Sequence, residues 1–256
     1  MAPTNRQTQN SKNDSLDIMN FGIIAAGQGS RLVQEGVALP KPLVDICGTP
    51  MIGRLIGIFT RCGAESVSVI VNEEMTEVAD YLRDLSSALP CPLNLVVKTT
   101  PTSMHSFFEL SSLMEGKGRY IITTVDTIFR EDDFRGYVDA FRGASPEVDG
   151  MMAVTGFIDD EKPLYVGTDT SGRITGFLDT MEPGIRFVSG GIYGLSQSAL
   201  PVLRDCIDRG VGRMRNFQRA LVAAGLNLRA YDMNKIVDVD HASDIKGAEA
   251  FLRGGE

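Results

Sequence analysis

The 256-residue chain predicts an α/β fold: a Rossmann-like, mostly parallel central sheet with helices on both faces, and a small antiparallel subregion. Three observations predict it. Phe21–Ala26 is an apolar run too short for an isolated helix, and Gly27-Gln28-Gly29-Ser30 turns the chain directly after it, the pattern of a buried parallel strand. Strand-like and helix-like segments then alternate four times through the first half, which implies right-handed crossovers. The second half changes style, to short strand-like segments joined by short links.

In chain order, residues 1–17 are rich in Asn, Gln, Ser and Thr without an apolar centre, and read as a disordered leader; residues 18–256 read as one domain. After the first strand, Met51–Arg61 carries helical spacing at Ile52, Leu55, Ile56 and Phe59, with Gly63 as its C-cap. Ser66–Val71 is a β-branched strand. Glu73–Ala88 puts Met75, Val78, Ala79, Leu82 and Leu85 on one helical face, and Leu93–Val97 is a strand beyond Pro90-Cys91-Pro92. The Ser/Thr-rich stretch from Thr99 to Ser106 opens a helix, Met104–Met114. Arg119–Val125 is a strand that runs into Asp126, placing a carboxylate where open α/β sheets bind ligands. Gly150–Thr155, Tyr165–Thr168, Arg173–Leu178 and Phe187–Leu195 are strands, with a hairpin turn at Asp169–Gly172. Helices Gln197–Arg209 and Met214–Ala224, a strand at Leu226–Tyr231, a short strand within Lys235–His241 and a helix at Ala242–Leu252 complete the chain.

Composition excludes several classes. A formal charge of -8 and a pI near 4.9 argue against a nucleic-acid surface. No apolar run approaches membrane-spanning length. The four cysteines are scattered without a C-x-x-C pair, the usage of reduced thiols in a cytoplasmic protein. Two histidines cannot make a three-histidine zinc site.

The first loop holds the chemistry. Glycines at 27 and 29 let the backbone bend and approach a ligand, and successive amides in such a turn can face an anion. Arg31 follows, and Lys41 stands between two prolines that restrict its backbone. Amides, a guanidinium and an ammonium around one loop make a polyphosphate cradle. The dinucleotide fingerprint is absent, since Leu32 stands at its third glycine, and so is the P-loop's Gly-Lys-Ser/Thr. Both cations are expected on a loop, where replacement by alanine would leave thermal stability nearly unchanged.

Gly27-x-Gly29-Ser30-Arg31-Leu32, Pro40-Lys41-Pro42-Leu43 and Gly48-x-Pro50-Met51-Ile52 together resemble the signature of the sugar-1-phosphate nucleotidyltransferases, the nucleoside-diphosphate-sugar pyrophosphorylases. The resemblance covers about residues 20–252 and implies a glycosyltransferase-A-like nucleotidyltransferase fold. It implies a nucleotide site of Ala25, Ala26, Gly27, Gly29 and Ser30 with Thr102, Ser103 and Ser106. Val188–Tyr193 resembles the family's acceptor-lining strand, which implies acceptor contacts from Gly190, Gly191 and Tyr193. Asp126 matches the family's first metal aspartate. A second lies before the closing helix, with Asp238 the aligned candidate and Asp240 the rival. Asp238 and Asp240 are two apart, so strand alternation cannot choose between them. Asp240 stands next to the closing helix and has capping work available, which favours Asp238 as the ligand. One departure is clear: where many members carry Glu-Lys-Pro, whose lysine binds the acceptor phosphate, this chain has Asp179-Thr180-Met181-Glu182-Pro183, with Lys162 and Arg186 near but out of register.

The implied reaction is nucleotidyl transfer from a nucleoside triphosphate to a phosphorylated small-molecule acceptor, in first place a sugar 1-phosphate, with release of pyrophosphate. Mg²⁺ is the implied cofactor, held by Asp126 and Asp238, with Arg31 and Lys41 as catalytic cations. A phosphomonoester is mostly dianionic at neutral pH and needs no strong base. The alternatives are a cytidylyltransferase acting on phosphocholine or another phospho-alcohol, and a non-catalytic nucleotide or sugar-nucleotide binder. A homo-oligomer is compatible with the sequence and not dictated by it.

Overall fold

The computed structural model describes residues 19–158 and 161–254. The expected leader, residues 1–17, lies outside them. The elements in chain order are β1 (Met19–Ala25), α1 (Ser30–Gln34), a 3₁₀ turn at Lys41–Leu43, β2 (Asp45–Ile46), β3 (Thr49–Pro50), α2 (Met51–Arg61), β4 (Ser66–Val71), α3 (Thr76–Ser86), β5 (Leu93–Val97), α4 (Ser103–Ser111), β6 (Arg119–Thr124), β7 (Thr127–Ile128) and α5 (Glu131–Arg142). They continue with β8 (Gly150–Thr155), β9 (Tyr165–Thr168), β10 (Ile174–Leu178), β11 (Phe187–Leu195), α6 (Ala199–Asp208), α7 (Met214–Ala223), β12 (Leu228–Asp232), β13 (Val237–Asp238) and α8 (Ala242–Leu252).

Alternation along the strands builds two core layers. Phe21, Ile23 and Ala25 of β1 and Val67, Val69 and Val71 of β4 face one way, covered by α2, α3, α5 and α8. Ile24, Ile70, Tyr120 and Ile122 face the other way, covered by α4, α6 and α7. Both sheet faces are therefore buried, which is why β1 reads as an unbroken apolar run rather than an alternating one.

The main sheet runs β10-β9-β11-β6-β1-β4-β5, with β8 paired to β11 and β12 paired to β8. β1 is parallel to β4 and to β6, β4 is parallel to β5, and β8 is parallel to β12. β11 is antiparallel to β6, β8 and β9. The antiparallel subregion is thus continuous with the parallel sheet through β11, whose register against β8 shifts between Ser189 and Tyr193. From β1 the chain moves outward to β4 and β5 and then returns to the far side of β1 as β6. That reversal opens a crevice beyond the C-terminal ends of β1 and β6, where doubly wound sheets bind ligands.

Boundaries differ from the sequence reading where side chains intervene. The Asn72 carboxamide accepts the Glu74 amide at 3.0 Å, and this turn delays α3 to Thr76 instead of Glu73. The pairing of β13 with β7 (Asp238 opposite Thr127) joins segments more than a hundred residues apart and had no local signal. Cys62 and Cys206 are buried, Cys47 is exposed, and the four cysteines are free.

Candidate active site

The switch point gathers the strand ends into a cleft of about 770 Å³. Ala26, Asn72, Thr99 and Asp126 line it from the ends of β1, β4, β5 and β6 respectively. Gly29 has φ +61°, and a Cβ there would lie 2.8 Å from the Lys41 Cβ. Glycine is therefore required twice at this position, for its left-handed backbone and for the close approach of Lys41.

Lys41 lies in the 3₁₀ turn with its side chain nine-tenths buried, and its Nζ donates to Asp126 Oδ2 and to Asp240 Oδ1, both at 2.6 Å. Burial alone would push the Lys41 ammonium down, but the two carboxylates outweigh it and its pKa is raised. At Asp126 burial would raise the pKa, and the charge and hydrogen bond of Lys41 outweigh that and hold it below the usual carboxylate range. The loop position at which replacement would leave stability nearly unchanged does not fit Lys41, because the Pro40-Lys41-Pro42 turn directs its side chain inward across Gly29 into a buried ion pair. Arg31 keeps half of its side chain exposed, 3.3 Å from Asp240 Oδ2 and 3.8 Å from Glu161 Oε2.

Other expected positions divide. Gly27, Gly29, Ser30, Thr102, Ser103 and Ser106 line the cleft. Ala25 does not, because alternation turns its side chain into the core layer beneath α2. Thr102 occupies the N-cap position of α4, yet its hydroxyl meets His105 Nδ1 at 2.9 Å rather than a helix amide. The Thr100 and Ser106 hydroxyls pair at 2.6 Å.

A second, smaller cavity of about 110 Å³ adjoins the cleft and shares Arg31 and Asp240 with it. Gly190 lines this cavity, and any side chain there would collide with Ile236. Gly191 has φ +72° in the irregular middle of β11. Tyr193 lines neither space and packs in the other core layer; burial raises its pKa, with the charges of Asp238 and Asp126 acting in the same direction.

Asp240 does not do the capping work that the sequence offered it. His241 takes the N-cap position of α8, and the Asp244 carboxylate receives the backbone amides of Asp240 and His241 at 3.0 and 2.7 Å. The Asp240 side chain does no capping; it faces Asp126 across the Lys41 ammonium. Asp238 is exposed and lines the smaller cavity. Thr99 and Thr100, at the start of the Ser/Thr-rich stretch, line the cleft as well, whereas sequence reasoning missed Asn72 and Thr124. Asn72 could have been found by applying the strand-end rule to β4 as it was to β6.

The model of the MobA-like NTP transferase domain matches residues 22–189. The chain belongs to this family. Mannose-1-phosphate guanylyltransferase 1 of Arabidopsis thaliana is 23% identical over 184 residues, 70% of this chain and 50% of the relative. The chain thus spans about half the length of that curated relative. A Bacillus anthracis structure assigned as a glucose-1-phosphate thymidylyltransferase superposes with a TM-score of 0.78 at 20% identity, covering 93% of this chain and 96% of its own. The inositol-1-phosphate CTP transferase of T. maritima superposes with a TM-score of 0.75 at 13% identity, covering 93% and 98%. Both likenesses are likenesses of fold. No helix among the described residues is long and apolar enough to cross a membrane.

Proposed function

We propose that this NTP-transferase domain moves a nucleoside monophosphate from a triphosphate to a phosphorylated small molecule, with a sugar 1-phosphate as the first candidate, and releases pyrophosphate. The observation that carries the reading is the convergence of Arg31, Lys41, Asp126 and Asp240 at the switch-point crevice, beside the Gly27–Gly29 turn. The triphosphate would lie along Gly27–Arg31, with its base toward Thr99–Ser106.

Asp126 and Asp240 present hard oxygen donors that already converge on one cationic point, the Lys41 ammonium, and this fits Mg²⁺. Among the described residues no group of three or more His, Cys, Asp or Glu side chains forms a metal cage. The remaining ligands would therefore be phosphate oxygens and water, the usual habit of this ion. When bound, the ion supplies positive charge to the reacting phosphate. Arg31, half exposed at the mouth of the cleft, would clamp the departing phosphates. Lys41 would hold its ammonium against the oxygens that gain charge in the transition state. The acceptor would enter beside Gly190, in the smaller cavity. The Glu-Lys-Pro lysine is absent; Lys162 and Arg215, which line an adjoining recess, and Arg31, which lines the cavity itself, are the candidate cations for its phosphate. Arg215 already pairs with Asp179 at 2.8 Å, the first residue of the stretch that replaces that motif.

The experiment is a matrix of the four ribonucleoside triphosphates and dTTP against sugar 1-phosphates, phosphocholine and phosphoethanolamine, with products identified by mass spectrometry. A nucleoside diphosphate adduct is expected in one row, lost in EDTA and restored by Mg²⁺ or Mn²⁺. Nucleotide binding without any adduct across the matrix would leave the non-catalytic binder as the answer.

A further inference from the structure

The contacts of Glu35 carry an inference about how the phosphate loop is held. Glu35 closes the single helical turn that begins at Ser30, so it stands four residues after Arg31 on the same short element. Its carboxylate reaches across more than two hundred residues of sequence. Oε1 meets His241 Nδ1 at 2.6 Å, and Oε2 accepts the Ala242 amide at 2.7 Å. Those residues immediately follow Asp240. Other contacts fix the rest of that neighbourhood. The Val239 amide donates to the Asp126 carbonyl at 3.1 Å, so the backbone ladder sets Asp240 against Asp126 without help from Glu35. Asp244 holds the Asp240 amide from the other side. The Gly27–Gln34 segment has a weaker hold: its buried side chain in α1 is Leu32, and Arg31 itself reaches only the half-exposed Asp240 and the exposed Glu161.

We infer that Glu35 is a positioning residue for Arg31: its two-point clasp on His241 and Ala242 fixes the phosphate-binding turn against the Asp126–Asp240 pair and so sets where the Arg31 guanidinium meets the departing phosphates. This rests on the reading of Arg31 as the phosphate clamp. It assigns Glu35 no contact with substrate. The division of labour is specific, because the carboxylate pair is set by the β7–β13 ladder whereas the cation opposite is set by Glu35.

The test uses probes that need no knowledge of the base or acceptor. Inorganic pyrophosphate with Mg²⁺ is titrated by calorimetry, and Mn²⁺ alone by electron paramagnetic resonance, into the wild type and into Glu35→Ala, Glu35→Gln, Arg31→Ala and the Glu35→Ala/Arg31→Ala double variant. Glu35→Ala should weaken pyrophosphate about tenfold and leave Mn²⁺ affinity within twofold. Glu35→Gln, which can still accept the Ala242 amide, should recover part of the loss. The double variant should bind pyrophosphate no worse than Arg31→Ala. Unchanged pyrophosphate binding in Glu35→Ala, with Arg31→Ala weakened, would overturn the inference and leave the clamp standing. Equal weakening of pyrophosphate and Mn²⁺ would also overturn it, since Glu35 would then be holding the carboxylates. Wild-type affinity in Arg31→Ala would remove the clamp itself and the inference with it.

Discussion

The Lys41 ammonium sits between two carboxylates at equal distance, and this symmetry bears on the choice of carboxylate. A buried ammonium is costly unless it is paired, and here both partners are reactive-site candidates rather than inert counter-ions. Replacing Lys41 would leave Asp126 and Asp240 facing each other without the ammonium between them, with only the half-exposed Arg31 still beside Asp240, so its variants will lose stability as well as turnover, unlike variants of Arg31. The aspartates separate cleanly. Asp240→Asn should lower turnover by about two orders of magnitude, the scale of a lost transition-state electrostatic contact, while Asp238→Asn should keep turnover within severalfold of the wild type. Steady-state rates of the two variants at matched folded fraction decide this, and the reverse order would return the role to Asp238. The sequence could not make this choice. Residues two apart on a strand share a face, and the tie-breaker depended on which side chain caps the last helix. That capping is done by His241 and Asp244, and Glu35 reaches Ala242 from the other end of the chain.

The helix Glu131–Arg142 rests on an interaction that local patterns do not reveal. Arg119, 2% exposed at the start of the strand Arg119–Thr124, donates to the carbonyls of Phe141, Ala144 and Ser145 at 2.6, 2.9 and 2.7 Å. Its guanidinium also lies 4.9 Å from the Phe141 ring centroid. A cation thus closes the negative end of the helix and satisfies carbonyls that the helix leaves open. Arg119→Leu should cost about 2–4 kcal/mol, because three charged hydrogen bonds are lost, although the Phe141 and Ser145 carbonyls keep the Ala144 and Val148 amides as donors. Denaturant unfolding measures it; a loss below about 0.5 kcal/mol would mean that water or a backbone shift replaces the guanidinium. The helices and strands themselves were largely legible, since apolar periodicity marks which face is buried. Their ends were less so: the helix Thr76–Ser86 begins late because of Asn72, and the paired dipeptides Thr127–Ile128 and Val237–Asp238 are too short to carry a pattern.

Across the whole molecule, one topological event organises the chemistry. The chain lays down three parallel strands outward from the centre and then crosses back to place Arg119–Thr124 on the other side of Met19–Ala25. That return sets Asp126 beside the glycine turn, and the late Val237–Asp238 strand then delivers Asp240 to the same point. The first half of this arrangement could be read from the alternation of strand and helix together with the Gly-Arg-Lys string. The second half could not, because the strand Phe187–Leu195 pairs with three partners in two registers and joins the antiparallel segments to the parallel sheet. No local signal specifies that pairing, which depends on long-range closure of the sheet.

The central claim is that the carboxylate at the end of Arg119–Thr124 belongs to a nucleotidyl-transfer centre. Continuous measurement of pyrophosphate release tests it most directly, with Mg²⁺ and the best triphosphate–acceptor pair, comparing the wild type with Asp126→Asn. Lys41 keeps Asp240 as a partner in that variant, so its fold should persist and circular dichroism should match the wild type. The wild type should release one pyrophosphate per acceptor consumed, and Asp126→Asn should do so at least about a hundredfold more slowly. Release at the wild-type rate by Asp126→Asn, or no release by the wild type with any pair, would contradict the account.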